Sequence, residues 1–155
     1  MRKLIYMMTA VLMLAACGNK PDNKPDNKPD NKTELTLEQK LYGEWHSTTL
    51  AIEADIYISF AENKTFEMYQ QITAGAHRLY RGTWNLEGTL LTGKYNDGED
   101  WAAAYEIAIE GETLTLTSVN DAAEKSVYKK AEIPEDIKTG SAVVVKSAAE
   151  HAPVL

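Results

Sequence analysis

Residues 101–119 read WAAAYEIAIEGETLTLTSV, and the first half of this stretch has the most regular alternation of apolar and polar side chains in the chain. In Trp101–Glu110 the odd-numbered positions are Trp, Ala, Tyr, Ile and Ile, whereas the glutamates lie on the other side. Glu110-Gly111 is a turn signal, and Thr113–Val119 then alternates leucine with threonine. Because a strand points successive side chains to opposite faces, this pattern predicts a β-hairpin with one buried face.

The same kind of pattern extends in both directions, through short runs separated by turn residues. The predicted strands are Gly43–Thr49, Ala54–Phe60, Thr65–Ile72, His77–Leu86, Thr89–Tyr95, Trp101–Glu110, Thr113–Val119 and Glu124–Lys130. Eight strands are enough to close a small antiparallel barrel, whose interior holds side chains or one small ligand. An open sandwich of the same strands is the alternative. The sequential hairpins and the lack of a long crossover favour the barrel.

A short helical segment is predicted immediately before the first strand. Thr36 and Gln39 have the spacing of a capping box, so Leu37–Tyr42 is expected to form one or two helical turns. The sequence therefore predicts an all-β fold in a domain over residues 36–138: a single eight-stranded antiparallel up-and-down barrel, preceded by a short helical turn. A domain of this length is expected to bury well over half of its unfolded surface around one core.

The N-terminus has the features of an exported, lipid-anchored protein. Arg2-Lys3 precedes an apolar run, Leu4–Leu14, that is shorter than the ~20 residues needed to span a bilayer. Leu14-Ala15-Ala16-Cys17, followed by Gly18, resembles the lipobox of bacterial lipoproteins. The resemblance implies a signal peptide over residues 1–16 and lipid attachment at Cys17, through a thioether on the thiol and acylation, for example by palmitate, of the exposed amine. The alternative is that Cys17 is a small hydrophobic residue in an ordinary signal peptide.

A charged repeat follows the cysteine. Residues 19–32 read NKPDNKPDNKPDNK, with no apolar side chain and a proline every four residues. Such composition cannot form a packed core, so residues 17–35 are predicted to be the lipidated cysteine and a disordered spacer. With partial polyproline geometry the spacer reaches up to roughly 40 Å. A recognition tag is the alternative function of the repeat.

The charge distribution argues against nucleic acid as a partner. Removal of residues 1–16 takes away Arg2 and Lys3 and changes the formal net charge from −7 to −9. Residues 33–138 contain nine Lys plus Arg against 19 Asp plus Glu, a charge of −10. Because nucleic acids and anionic membrane surfaces are bound through basic patches, the domain itself is predicted to bind neither.

Two Gly-x-Trp motifs carry a family resemblance. Gly43-Glu44-Trp45 opens the first strand directly behind the helical turn, and Gly82-Thr83-Trp84 lies in mid-chain. With the eight-strand count, this resembles the lipocalin-like domains found in bacterial lipoproteins, over about residues 37 to 130. The resemblance implies that Gly43, Trp45 and Trp84 form the floor of the barrel and that the interior binds a small hydrophobic ligand. The two tryptophans are interpreted as core residues.

Five side chains on predicted inward faces are the candidate ligand contacts: Met68, Gln70, Tyr80, Tyr105 and Tyr128. A ligand pocket is typically apolar with a few polar groups that orient the ligand, and this set has that composition. The alternative is ordinary core packing, in which each hydroxyl reaches a backbone partner. Arg78 and Arg81 fall on opposite faces of one strand, so one of them is expected to point inward.

No catalytic or metal-binding constellation is apparent in the sequence. His46, His77 and His151 lie on separate segments without ligand spacing, so no metal site and no cofactor are predicted. The acidic run Asn96–Asp100 lacks the ligand pattern of an EF-hand, and a solvated hairpin tip is the preferred interpretation. Nucleophile elbows and phosphate loops are also missing from the sequence, so the protein is predicted not to be an enzyme.

The C-terminal region has little pattern. No long helix is expected after the last strand, because Ile133–Lys138 is short and contains Pro134, and residues 139–155 are predicted to form a flexible tail.

The leading functional hypothesis is a lipoprotein of the bacterial cell envelope that is anchored by lipid and binds a small hydrophobic ligand. The alternative is a filled barrel that contacts another envelope protein. The resemblance to bacterial lipoproteins implies the outer membrane as the location, because in those of Gram-negative bacteria a residue other than aspartate after the lipidated cysteine usually permits export there, and Gly18 fits that pattern.

Overall fold

The computed structural model describes residues 34–149 and 151–155. The expected signal peptide, the lipid attachment at Cys17 and almost all of the repeat spacer lie outside the described residues. In the described part of the chain, no helix has the length and apolar character needed to cross a membrane.

The described residues form two short helices, nine strands and a final 3-10 turn. In chain order these are α1 Leu37–Leu41, β1 Gly43–Thr49, β2 Asp55–Phe60, β3 Thr65–Gln71, β4 Arg78–Glu87, β5 Leu90–Tyr95, β6 Tyr105–Glu110, β7 Thr113–Ser118, β8 Lys125–Lys130, α2 Glu135–Gly140, β9 Ala142–Val143 and the turn Lys146–Ala148.

Strands β1 to β8 close into an antiparallel barrel. Each strand pairs with its neighbours in sequence, and β1 also pairs with β8, so neither end of the series is left as an edge. This confirms the predicted eight-stranded up-and-down barrel over the open sandwich. Closure removes the unpaired backbone groups that an open sheet exposes.

The capping box at the start of α1 is present as expected. The Gln39 amide N–H donates to the Thr36 hydroxyl at 3.2 Å, and the Thr36 amide N–H donates to the Gln39 side-chain oxygen at 2.9 Å. These two bonds satisfy backbone donors that the first helical turn leaves free. They fix α1 just before β1, at the end of the barrel that we call the floor.

The wall between β5 and β6 is less regular than the sequence predicted. The expected strand Trp101–Glu110 is hydrogen-bonded as a strand only from Tyr105, and β5 pairs with β6 only through Leu90 and Leu91. The Trp101 ring instead lies over Gly93, where a side chain would collide with it at 2.1 Å. The missing side chain of Gly93 therefore makes room for Trp101 to cover this part of the wall.

The segment after β8 crosses the outside of the barrel. Ile133 and Ile137 pack against Tyr57, Tyr69 and Leu79, which face outward from β2, β3 and β4. The six-residue α2 is thus a short external helix, consistent with the expectation that no long one follows the last strand. Its apolar side covers the outer face of three strands.

The C-terminal residues differ from the flexible tail expected over 139–155. β9 pairs in parallel with the first two residues of β4, at a place that β5 does not reach. Leu155 is 1 % exposed and belongs to the main core. The reason is that the opening of the barrel opposite the floor, which we call the mouth, supplies both apolar surface and hydrogen-bond donors to a segment with no strong pattern of its own.

The interior of the barrel is filled mainly by large side chains. The fully buried ones are Trp45, Tyr80, Tyr128, Phe60, Phe66, Leu41, Ile56, Ile58, Met68, Leu91, Leu114 and Leu116. Burial of this much apolar surface is the main stabilising contribution to the fold. The floor and the mouth remain as the two places where the core meets the surface.

Candidate functional site

The floor holds the first Gly-x-Trp motif where the resemblance placed it. Trp45 is fully buried, and its indole N–H donates to the Leu41 carbonyl at 2.8 Å, which ties β1 to the end of α1. The Lys130 ammonium lies 4.2 Å from the ring centroid, within the range of a cation–π contact. Gly43 has a φ of +108°, a conformation that favours glycine.

The second motif lies at the same end of the barrel. The Trp84 indole N–H donates to the Thr65 carbonyl at 3.0 Å, and its ring packs edge-on against Phe60 at 5.8 Å. The Lys64 ammonium lies 4.3 Å from the Trp84 centroid, as Lys130 does from Trp45. Both tryptophans therefore close the floor as core residues with their single donor satisfied, and neither has a free group for a ligand.

The mouth brings together three of the five candidate ligand contacts around residues 151–155, which we call the C-terminal segment. Gln70 is 2 % exposed; among the described residues only Ser118 is another polar side chain buried this deeply. Its amide N–H donates to the Ala152 carbonyl at 3.2 Å, and its amide oxygen accepts from the Val154 N–H at 2.8 Å.

Three tyrosine hydroxyls donate to the same segment. Tyr80 donates to the His151 carbonyl at 3.3 Å and Tyr105 to the Val154 carbonyl at 3.1 Å. Tyr95, which the sequence analysis missed, donates to the Leu155 main-chain oxygen at 2.6 Å. It ends β5 on the side that Leu91 and Gly93 share, so the alternation of that strand contained the signal.

The remaining two candidates lie deeper and do not reach the segment. Met68 is fully buried in the core, beside its cross-strand partner Tyr80. Tyr128 is also fully buried, and its hydroxyl has no hydrogen-bond partner among the described residues; the same holds for the indole N–H of Trp101. The Trp101 ring lies 6.1 Å from Tyr105. Met68 is therefore a packing residue, whereas Tyr128 and Trp101 carry donors that the described structure leaves unused.

Burial raises the pKa of the mouth tyrosines further above the ordinary value of about 10, at which a tyrosine is already protonated at neutral pH. It raises the pKa of Tyr105 to about 12, with a smaller contribution from the Glu124 carboxylate. The pKa of Tyr95 is also raised, mainly by burial. A protonated hydroxyl donates, so the mouth presents hydrogen-bond donors to whatever occupies it.

Two pockets flank the C-terminal segment. One, of about 210 Å³, is bounded by Leu50–Ile52, Tyr105, Glu124, Ser126 and residues 152–154. The other, also about 210 Å³, is bounded by Gln70–Ala76, Arg78 and His151. Of the two arginines considered from the sequence, Arg78 is the one that lines the mouth. Arg81 lies outside and pairs with Glu67 at 2.7 Å.

The acidic hairpin tip, Asn96–Asp100, binds the 3-10 turn Lys146–Ala148, which precedes the C-terminal segment. The Ser147 N–H donates to the Asp97 carboxylate at 2.8 Å, and this bond is the main reason why the Asp97 pKa lies below its usual value. Lys94 pairs with Asp100 at 2.8 Å and lowers the pKa of that carboxyl. The tip is thus a docking point for the turn that precedes the C-terminal segment, a role the sequence did not indicate.

Two of the three histidines meet in the structure, although the sequence placed them on separate segments. Their Nε2 atoms lie against the two oxygens of Asp55, at 2.6 Å for His46 and 3.0 Å for His77. Tyr57 stacks on the His46 ring at 4.1 Å. Among the described residues no group of His, Cys, Asp or Glu is arranged to hold a metal ion. The three side chains bond one another and join β1, β2 and the start of β4 near the mouth.

Comparison with known proteins gives one finding. A family model described as a lipocalin-like domain matches residues 27–116, a range that contains α1 and β1 to β6 in full and enters β7. None of the curated proteins matches the chain. The match covers both Gly-x-Trp motifs and four of the five candidate ligand residues, and it ends before the C-terminal segment.

Proposed function

We propose, from the premise that this chain belongs to the lipocalin-like domain family, that it is a lipid-anchored protein of the bacterial envelope that binds a small hydrophobic molecule at the mouth of its barrel. Closed barrels of eight strands have an interior that is filled by side chains or holds one small ligand. Family membership also favours a binding role over a catalytic one.

The convergence of donors at the mouth is the observation that carries the proposal. Four consecutive strands, β3 to β6, each contribute one side chain that donates a hydrogen bond into the mouth: Gln70, Tyr80, Tyr95 and Tyr105. The three tyrosines belong to the main hydrophobic core cluster. An apolar pocket with a few placed polar groups is the usual form of a small-molecule site. These donors already bond main-chain oxygens of the C-terminal segment. An apolar ligand that carries acceptor oxygens can be bound in the same way.

Arg78 supports a ligand with a polar head. It lines the mouth beside Gln70, and it acts on the Tyr80 hydroxyl electrostatically and through a hydrogen bond, which partly offsets the rise in the Tyr80 pKa caused by burial. A guanidinium matches carboxylate geometry with two parallel donors. The proposed ligand class is therefore an apolar molecule that carries a carboxylate or another acceptor group.

Native mass spectrometry of the Cys17→Ala chain, purified from bacteria without detergent, tests ligand binding. We expect a co-purified small-molecule mass that is displaced by a fluorescent fatty-acid analogue. Gln70→Leu should weaken binding of that analogue by about 30-fold, because two hydrogen bonds of ~1 kcal/mol each are lost. Asn85→Leu is the matched control, since Asn85 is an exposed amide on β4 that lines neither pocket at the mouth. A consistently empty chain that does not bind the analogue would exclude this function.

Anchoring is tested separately by fractionation of cells. The lipobox motif and the repeat spacer support attachment to the outer membrane through Cys17, and two or three acyl chains give stable anchoring where a single chain does not. We expect the wild-type protein in the outer-membrane fraction and the Cys17→Ala protein without lipid in the soluble fraction. Recovery of the wild type only in the inner membrane would contradict the proposed location.

The filled interior favours a second candidate function, in which the barrel contacts another envelope protein. Within residues 34–149 and 151–155, eighteen buried hydrophobic residues form one core cluster that includes Leu155, so side chains of the protein already fill much of the interior. Crosslinking in cells followed by purification tests it. A defined partner, together with an empty barrel in native mass spectrometry, would favour this function over ligand binding.

A further inference from the structure

The contact between Gln70 and the C-terminal segment has the form of strand pairing. The side-chain amide bonds the carbonyl of Ala152 and the N–H of Val154, the two groups that flank Pro153. In a parallel ladder, one residue of a neighbouring strand bonds the same two groups of its partner. Pro153 lies between these two groups. Proline has no N–H, and a residue at this position does not donate to the neighbouring strand, so proline fits there.

All five hydrogen bonds that Gln70 and the three mouth tyrosines make to the C-terminal segment go to main-chain atoms. The acceptors are the carbonyls of residues 151, 152, 154 and 155, and the donor is the amide of residue 154. Main-chain atoms are the same in every peptide, so these bonds recognise an extended backbone rather than a sequence. Two buried side chains of the segment, Pro153 and Leu155, add the apolar part.

We propose that the mouth is a binding site for an extended apolar peptide, which residues 151–155 occupy within the same molecule. This peptide site is the same mouth that the proposed function assigns to a small molecule, but the ligand is a peptide backbone with apolar side chains. A separate peptide with a proline and, two residues later, a leucine binds there when the resident segment is displaced.

The buried amide of Gln70 explains why the site requires an occupant. A buried polar group without a partner has lost its hydrogen bonds to water with nothing in exchange, and Gln70 has both a donor and an acceptor to satisfy. The resident segment supplies both at a high effective concentration because it belongs to the same chain. A free peptide therefore competes poorly against the intact protein and binds well only after the resident segment has left.

A chain cut after folding tests the proposal without asking a shortened chain to fold. A protease site is inserted after Ala149 in the full-length Cys17→Ala chain, and the folded protein is cut and dialysed. The probe is a fluorescent His-Ala-Pro-Val-Leu peptide with blocked ends, followed by polarisation. We expect binding to the cut protein to be more than ~100-fold tighter than to the uncut protein.

Matched variants decide whether the proposed contacts carry the binding. In the cut protein, Gln70→Leu should weaken peptide binding by about 30-fold, whereas Asn85→Leu, at an exposed amide on β4, should change the affinity less than twofold. A peptide that carries Leu155→Asp should bind at least about tenfold more weakly, because its carboxylate would enter the apolar core. A scrambled peptide of the same composition is the control for nonspecific adhesion.

Three results would overturn the proposal: a folded cut protein that binds no peptide, equal affinity for the scrambled peptide, or equal effects of Gln70→Leu and Asn85→Leu. If the cut fragment stays bound, its exchange with labelled peptide is measured by native mass spectrometry. If cutting unfolds the barrel, uncut Leu155→Asn is titrated with the same peptide, and absence of binding there also overturns it. A cut protein that binds the fatty-acid analogue and not the peptide would leave the proposed function intact and refute only this inference.

Discussion

The two ends of the barrel are closed by different means. At the floor, the bonds that hold α1 against β1 are local, since the capping box spans three residues and the bond from Trp45 to Leu41 spans four, and Lys130 and Trp84 add contacts from later strands. At the mouth, the hydrogen bonds to the C-terminal segment span 49 to 84 residues. The floor is built from α1 and from side chains of the barrel strands, whereas the mouth closes only when the segment that follows all eight barrel strands returns to it.

This difference separates a permanent closure from a removable one. Loss of the floor exposes the main core, because Trp45 lies among the largest fully buried side chains. Loss of the C-terminal segment removes one buried leucine and five hydrogen bonds and leaves the eight paired strands in place. Segments with few buried contacts open locally at a lower free energy than the whole fold. The mouth is therefore the end at which binding can occur without unfolding.

Removal of the floor tryptophan should give the largest effect. Trp45→Ala is expected to lower the free energy of unfolding by about 3–5 kcal/mol, because it leaves a cavity and removes both the bond to Leu41 and the contact with Lys130. Urea denaturation followed by circular dichroism measures it. Leu35→Ala is the control, since Leu35 is 57 % exposed just before the same helix. Equal stability of the two variants would contradict the assignment of Trp45 to the floor.

A methyl group on the wall near the mouth should have the next largest effect. Gly93→Ala places a carbon 2.1 Å from the Trp101 ring, so the ring must move off the gap between β5 and β6. Overpacking of this kind costs about 1–3 kcal/mol. Thermal unfolding, with tryptophan fluorescence as the local probe, measures it.

Gly140→Ala is the matched control for this prediction, because nothing lies within 4 Å of the added carbon. It should leave stability unchanged or raise it slightly. If Gly93→Ala were as stable as the control, Trp101 would not be held over the glycine.

Most of the fold follows from local pattern in the sequence. Alternation predicted all eight barrel strands with small errors at their ends, because each strand has one face in the core and one in solvent. It failed at Trp101, since the residues before Tyr105 keep the same alternation although they bend away from β5. An alternation of apolar and polar residues indicates which side chains are buried. It does not indicate whether the backbone is hydrogen-bonded to a neighbouring strand.

The site could be predicted only in part. Gln70, Tyr80 and Tyr105 were found because an inward polar side chain interrupts an apolar face. The C-terminal segment was not, because its short apolar run has no period and its position depends on donors 49 to 84 residues away. The meeting of His46, Asp55 and His77 was missed for the same reason: it depends on the closed barrel and on loop geometry.

A single polar substitution at the mouth should release the segment and spare the barrel. Leu155→Asn keeps the approximate shape of the side chain but buries an amide without a partner, which costs about 1–3 kcal/mol. We expect amide exchange at Val154 to accelerate by at least about tenfold, whereas the exchange of β1 stays unchanged. Val143→Thr, at a side chain that is 63 % exposed, is the control. Faster exchange throughout the barrel would mean that the mouth is as integral to the fold as the floor.

The smallest effect is expected from alkaline titration, which compares one tyrosine at each end. The pKa of Tyr42, at the floor, is raised to about 12 mainly by its hydrogen bond to Glu38, and that of Tyr105, at the mouth, to about 12 mainly by burial. Each folded pKa lies above the ordinary value of about 10, so the associated stability is fully present below pH ~10 and is lost as pH rises through about 12.

Release of the segment should separate the two tyrosines. In Leu155→Asn, water reaches the Tyr105 hydroxyl, so its pKa should fall toward 10, whereas that of Tyr42 should not change, because the Glu38 contact is at the other end of the barrel. Carbon-13 NMR of labelled tyrosine rings measures both, with Tyr105→Phe and Tyr42→Phe to assign the signals. Equal shifts of the two pKa values would show that release of the segment loosens the floor as well, and the two ends would then close as one unit.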